Sequence, residues 1–210
     1  MVYSGMDLLT FLMLPCDRRQ MVTQHMYHFT CRCPRCNKPQ EIEHTLTGAF
    51  FADSVTPKQQ KQLSTAMRTK FDALNLIDIH SVPIPLSKAG DVEPLMEFLT
   101  QFGLPSSSLR LHKNHWRLSL ARNALLAKVS RLAKPEKHLT KDFFTFALDQ
   151  LEAESHFVPE GHPFSVLNFR KFVALQKLLP DGLAATVQKR AVAVEDINWE
   201  VLQNTNSVWK

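Results

Sequence analysis

The sequence predicts a mainly α protein with one cysteine-stapled segment near its start, and three observations lead there. Glycine is scarce, 6 in 210 residues, which disfavours Gly-rich phosphate loops and favours helices. Apolar residues recur at spacings of three and four through most of the chain beyond residue 56, the signature of amphipathic helices. Three of the four cysteines, Cys31, Cys33 and Cys36, fall within six residues.

The length allows one good core or two small ones. Hydrophobic residues make up 44% and charged residues 21%, the balance of an ordinary globular protein. The net charge of +5 is spread among acids along the chain. That reads as a solvated mixed-charge surface and not as a direct nucleic-acid footprint. No apolar run reaches 18 residues, so no membrane span is expected. The run Met6 to Leu14 is short and lacks both a basic leader and a small-residue cleavage site, so it does not read as a signal peptide. A cytoplasmic or nuclear, reducing location follows, in which clustered cysteines are metal ligands before they are disulfides.

Taken in order, Met1-Val2-Tyr3-Ser4 reads as the end of a strand. Residues 15–30 read as a helix opened by Pro15, with Asp17 near its positive end and Met21, Val22, His25 and Met26 along one side. Residues 29–39 leave room only for a ligand-held loop. Thr56-Pro57 is a cap and first-turn pair for a helix carrying Leu63, Met67, Phe71 and Leu74. Residues 76–90 form a break. Asp91 can cap a helix with Leu95, Phe98, Leu99 and Phe102, which Gly103-Leu104-Pro105 ends. A long helix is expected over 108–133, with Trp116, Leu120, Leu125 and Val129 inward. Another runs from Thr140 to about 156, with Phe143, Phe144, Ala147 and Leu151 inward, and a further one starts at His162-Pro163. Helices over 184–194 and 195–204 complete the pattern. Helices of this length joined by short breaks suggest stacked antiparallel hairpins, a tetratricopeptide-like array without a strict repeat. Residues 40–60 show no clear pattern.

The spacing C-x-C-x-x-C at Cys31, Cys33 and Cys36 carries the chemistry. Zinc takes a tetrahedral shell of thiolates and imidazoles, and three close cysteines can fill three corners. Cys16, His25, His28 and His44 are available for the fourth. Cys16 stands at the far end of a helix of about a dozen residues, on the order of 18 Å long, so it reaches the cluster only if the chain folds over. Otherwise it is a small, half-buried apolar residue. No H-E-x-x-H, G-x-S-x-G or P-loop occurs. His156 and His162 read as surface or capping residues, Phe143, Phe144 and Phe146 as core, and Arg18-Arg19 and Lys189-Arg190 as solvated faces.

Pro15-Cys16-Asp17-Arg18-Arg19 followed by Tyr27-His28-Phe29-Thr30-Cys31-Arg32-Cys33-Pro34-Arg35-Cys36 resembles the post-SET region of SET-and-MYND (SMYD-type) protein lysine methyltransferases. That region runs from a Pro and an acidic-Arg pair through a short helix to aromatic-x-Phe-x-Cys-x-Cys-x-x-Cys. Tyr3 to Leu9 is similar to the family segment that holds the catalytic tyrosine, with extra residues before Pro15. Leu111 to Trp116, and the helix junction Phe157 to Pro163, resemble parts of the family's C-terminal helical domain. The resemblance implies three parts: the end of a SET domain with its post-SET zinc segment over 1–39, connecting helices over 40–106, and a tetratricopeptide-like domain over 107–210. At most a remnant of SET β structure is expected, at the N-terminus.

The resemblance also implies roles. Tyr3 would be the catalytic tyrosine in the lysine channel. Tyr27 and Phe29 would approach the adenosyl part of S-adenosylmethionine, although without the family they read as core packing under the metal loop. Cys31, Cys33 and Cys36 would bind structural zinc, with a fourth cysteine from the SET core. That core's Gly-x-Gly segment, its Asn-His pair and its cysteine do not precede Tyr3, and no MYND finger is present. Asn114-His115 lies after the cysteines and reads as a helix start. The expectation is a fragment, a truncated product or a decayed relative, inactive by itself and able to hold S-adenosylmethionine only if a SET core is supplied. The competing reading is a non-catalytic, zinc-stapled helical module that binds a partner protein or peptide.

Overall fold

The computed structural model describes residues 14–37, 40–76, 91–157 and 163–178, and these are mainly helical. Helix α1 (Cys16–Tyr27) starts at Pro15, whose ring sets φ at −64°, and stops at His28, which takes the left-handed conformation with φ 55° and donates its N–H to the Thr23 carbonyl. A single turn, α2 (Pro34–Asn37), sits inside the cysteine loop, and α3 (Gln40–Thr47) follows. Gly48 then lets the chain leave α3, since a Cβ there would clash with the His44 carbonyl oxygen.

Strand β1 (Ala49–Phe51) pairs antiparallel with β2 (Leu109–Leu111), in the register Ala49 to Leu111 and Phe51 to Leu109. Among the described residues this is the β structure, in mid-chain. The remnant strand expected at Met1–Ser4 lies outside them. The helix expected over 108–133 is shorter, because Leu109–Leu111 pair as β2 and the helix spans only Trp116–Val129. Leu109 and Leu111 are buried while Arg110 between them is exposed, a period-two pattern that suits a strand. Helix α6 (Trp116–Val129) begins only where the His115 ring accepts the Arg117 N–H. Asn114-His115 is thus a helix start, as the sequence suggested.

The other helices form where their spacing and caps place them. Thr56 and Gln59 make a reciprocal capping box at the head of α4 (Pro57–Ala73), with Pro57 in the first turn. Met67, Phe71 and Leu74 are buried, and Leu63 packs partly against the core. Helix α5 (Val92–Gly103) has Asp91 at its N-cap position, but the Asp91 side chain makes no capping hydrogen bond; the helix buries Leu95, Phe98, Leu99 and Phe102. The Thr140 hydroxyl accepts the Phe143 N–H at the start of α7 (Lys141–Phe157). Helix α8 (Pro163–Gln176) contributes Phe172 and Leu175.

Helix α6 is buried nearly all round, its polar Ser119, Arg122 and Asn123 included, as befits a helix surrounded by others; it packs against α5, α7 and α8. Aromatic contacts join the layers: Phe71 to Trp116 at 5.3 Å and Phe144 to Phe172 at 5.8 Å, both edge-on, and Phe71 to Phe98 at 5.6 Å, tilted, between ring centres. Leu14 and Val22 belong to the same apolar cluster, so α1 and the cysteine loop stand on this helical core. A polar seam threads it. Asn168 donates to Glu154 and Asn123, and Gln150 donates to Glu154 while accepting from Ser119. Among the described residues no helix is long and apolar enough to cross a membrane.

Candidate metal centre

One face of α1 builds the site. Residues Cys16, Arg19, Gln20 and Thr23 are spaced three and four apart and therefore lie together on the helix. The left-handed turn at His28 sends the chain back along that face. The Gln20 amide then clamps the loop from both sides: its Nε2 donates to the Cys31 carbonyl at 2.7 Å, and its Oε1 accepts the Cys31 N–H at 2.8 Å. Five residues later the loop has reached the head of the helix, where the Cys16 thiol donates to the Cys36 carbonyl at 3.7 Å. Inside the loop, the N–H groups of Cys36 and Asn37 both donate to the Cys33 carbonyl.

This fold gathers the three predicted ligands. The sulfurs of Cys31, Cys33 and Cys36 lie within 4.8 Å of one another. A tetrahedral metal with bonds of about 2.3 Å to sulfur separates its ligands by roughly 3.8 Å, so a small contraction closes the triangle. All four cysteines are free thiols of intermediate burial. Among the described residues no imidazole joins this group; His25, His28 and His44 are exposed.

Electrostatics prepare the cluster for a cation. Burial pushes the Cys33 thiol up, but the Cys36 N–H, the Cys31 and Cys36 thiols and the Arg19 charge outweigh it and bring Cys33 down to about 7. Burial raises the Cys36 thiol, as does its hydrogen bonding to Cys33, Cys31 and Cys16, against the opposing pull of Arg19. Of the two thiols, Cys33 is therefore the one that forms a thiolate more readily.

Arg19 is the residue that sequence reasoning placed wrongly. It was expected on a solvated face, yet it is 3% exposed, and its Nε and Nη2 have no hydrogen-bond partner among the described residues. A buried cation is costly unless a counter-charge accompanies it. Three or four thiolates around a divalent ion leave one or two net negative charges, which is the counter-charge Arg19 lacks. The donor set and this orphaned guanidinium both fit a bound metal ion. The signal for Arg19 and Gln20 was present in the sequence as their spacing from Cys16.

Tyr27 and Phe29 stand beside the loop. Both are about half exposed, 51% and 49%, with ring centres 6.3 Å apart at a 40° tilt. They are not packed under the metal loop, as their residue types alone suggested. Nor do they form a slot: a ring sandwiched between two others needs centres on the order of 7 Å apart and parallel, twice the carbon contact distance. The pair offers one continuous apolar face to solvent. Tyr3, expected to be the catalytic tyrosine, lies outside the described residues. No protein-family description, curated protein or solved structure matches the chain.

Proposed function

We propose that Cys31, Cys33 and Cys36 hold a structural zinc ion, and that the segment they staple is the post-SET end of an S-adenosylmethionine-dependent protein-lysine methyltransferase. One observation carries the reading: a triangle of sulfurs within 4.8 Å follows directly on an outward-facing Tyr27–Phe29 pair. Thiolates are soft ligands that select zinc in a reducing compartment, and a site closed by protein donors is structural. Helices α4 to α8 would be the tetratricopeptide-like wall along which a protein substrate enters.

S-adenosylmethionine, when bound, supplies a methyl group on a sulfonium centre. The part of these residues is to bind and orient. The face of Tyr27 and Phe29 suits a flat adenine ring, and Arg19 with the thiolates keeps the loop that carries them rigid. The 210 residues include no Gly-x-Gly and no Asn-His pair ahead of the cysteines, so the activity would belong to a protein in which a SET core accompanies them. A non-catalytic module remains the second reading, because the exposed aromatic pair is equally a docking face for a partner protein.

Two measurements decide. Metal analysis of the purified chain should return one zinc per molecule, and Cys33→Ser should lose it; no zinc in the wild type sinks both readings. The coding sequence upstream of Met1 should then hold an in-frame Asn-His segment and a further cysteine. The protein it encodes should bind S-adenosylmethionine in calorimetry, about tenfold or more weakly after Tyr27→Ala, as expected for a lost aromatic contact of about 1.4 kcal/mol. Zinc without any such binding removes the methyltransferase reading and leaves the interaction module.

A further inference from the structure

We propose that Cys16 is the fourth ligand, so that the metal site is closed entirely by this segment of the chain. The inference rests on the zinc reading and departs from the family resemblance, which places the fourth cysteine in a SET core. The reach argument that disfavoured Cys16 fails for a structural reason. The loop does not extend beyond α1; it doubles back along it, pairing Cys31 with Gln20 and Cys36 with Cys16.

Three features converge on that thiol. Its sulfur is 3.7 Å from the Cys36 carbonyl oxygen, and the two thiols themselves interact. Cys16 itself stands outside the group of three sulfurs within 4.8 Å, so binding requires its thiol to turn from the carbonyl toward the triangle. Cys16 is also the first residue of α1, the end of the helix that the returning loop reaches. Its own N–H donates to Glu43 at 2.8 Å, which pins that backbone to α3. Finally, a fourth thiolate raises the net charge of the site to two negatives beside Arg19, which is buried and whose Nε and Nη2 have no hydrogen-bond partner among the described residues. On binding, each neutral thiol releases its proton to solvent, and no electron is transferred.

The chemistry distinguishes Cys16 from a bystander. With four thiolates the site is coordinatively closed; with three, a water completes the shell and the metal exchanges more readily. Cobalt(II) added to the metal-free full chain reports this directly. The wild type should give the intense visible bands of a tetrahedral thiolate complex, and Cys16→Ser should lose about one quarter of the sulfur-to-cobalt charge-transfer absorbance, one ligand in four. Its zinc affinity should fall more than about 100-fold, beyond the loss of 10–100-fold typical of an outer partner. Because Cys16→Ser could disturb the start of α1, a second measurement uses the unaltered chain. Alkylation followed by mass spectrometry should show Cys16 protected by zinc in step with Cys31, Cys33 and Cys36. If Cys16 alkylates equally fast with and without zinc while the other three are protected, the assignment is overturned and the zinc reading survives. If no thiol is protected and no cobalt spectrum forms, both fall together.

Discussion

His115 illustrates how one side chain can set the acid response of the fold. It is 2% exposed, and burial, followed by the charges of Arg117, His112 and Arg122, lowers it from its ordinary value to about 3. It is therefore neutral in the folded protein, as its role requires: its ring Nδ1 accepts the Arg117 N–H at the head of α6. In the unfolded chain the same imidazole takes a proton near pH 6.5. Between about pH 6.5 and 3 the unfolded state binds a proton that the folded state refuses, so stability falls as the pH drops through that window. His115→Asn keeps an N-cap acceptor without the titration. Its denaturant midpoint should vary less between pH 7 and 4.5 than that of the wild type; equal slopes would mean that His115 is not a source of acid sensitivity.

At the scale of single elements, α4 offers a clean test of local coding. Thr56→Ala removes the hydroxyl that accepts the Gln59 N–H and donates to the Gln59 Oε1, while the reciprocal bond from the Thr56 backbone N–H is kept. It should cost about 1 kcal/mol in chemical denaturation, and Thr56→Ser should recover most of it. No loss in Thr56→Ala would show that tertiary packing, and not the cap, decides where α4 begins. Caps of this kind, with the three-and-four spacing of Leu95, Phe98, Leu99 and Phe102, made the helices legible in the sequence. Three-residue strands such as Ala49–Phe51 are too short to display a period of two against their neighbours, and their partner Leu109–Leu111 is remote in sequence. The cysteine triangle was legible because its ligands are local. The position of Cys16 was not, because helix length gives the size of a displacement and the left-handed turn at His28 gives its direction. The same fold-back buries Arg19, whose type and neighbours had suggested an exposed face.

Across the whole molecule, the cysteine loop and the helical core are held by different forces. The core closes on large apolar groups: Phe71, Phe98, Phe102, Trp116, Phe144 and Phe172 are all buried, each worth about 1.5–3 kcal/mol when removed from water. Helix α1 is attached to it by Leu14 and Val22, both fully buried, and by the Arg18 guanidinium 5.7 Å from the Trp116 ring centre. Residues 28–37 bring no such group; His28, Phe29, Thr30, Arg32, Pro34 and Asn37 are all exposed. Ordering each of those backbones costs about 1–2 kcal/mol, far more than the Gln20 clamp returns at about 1 kcal/mol per hydrogen bond. A metal bound by thiolates can supply the difference, since such binding contributes about 10–16 kcal/mol at neutral pH. Chelation of the zinc-loaded chain should therefore speed amide exchange across residues 28–37 and, more weakly, along α1, while α5 to α8 exchange as before. Uniform acceleration through α6 and α7 would mean that loop and core unfold as one cooperative unit, and that Leu14 and Val22 couple them more tightly than two side chains can by burial alone.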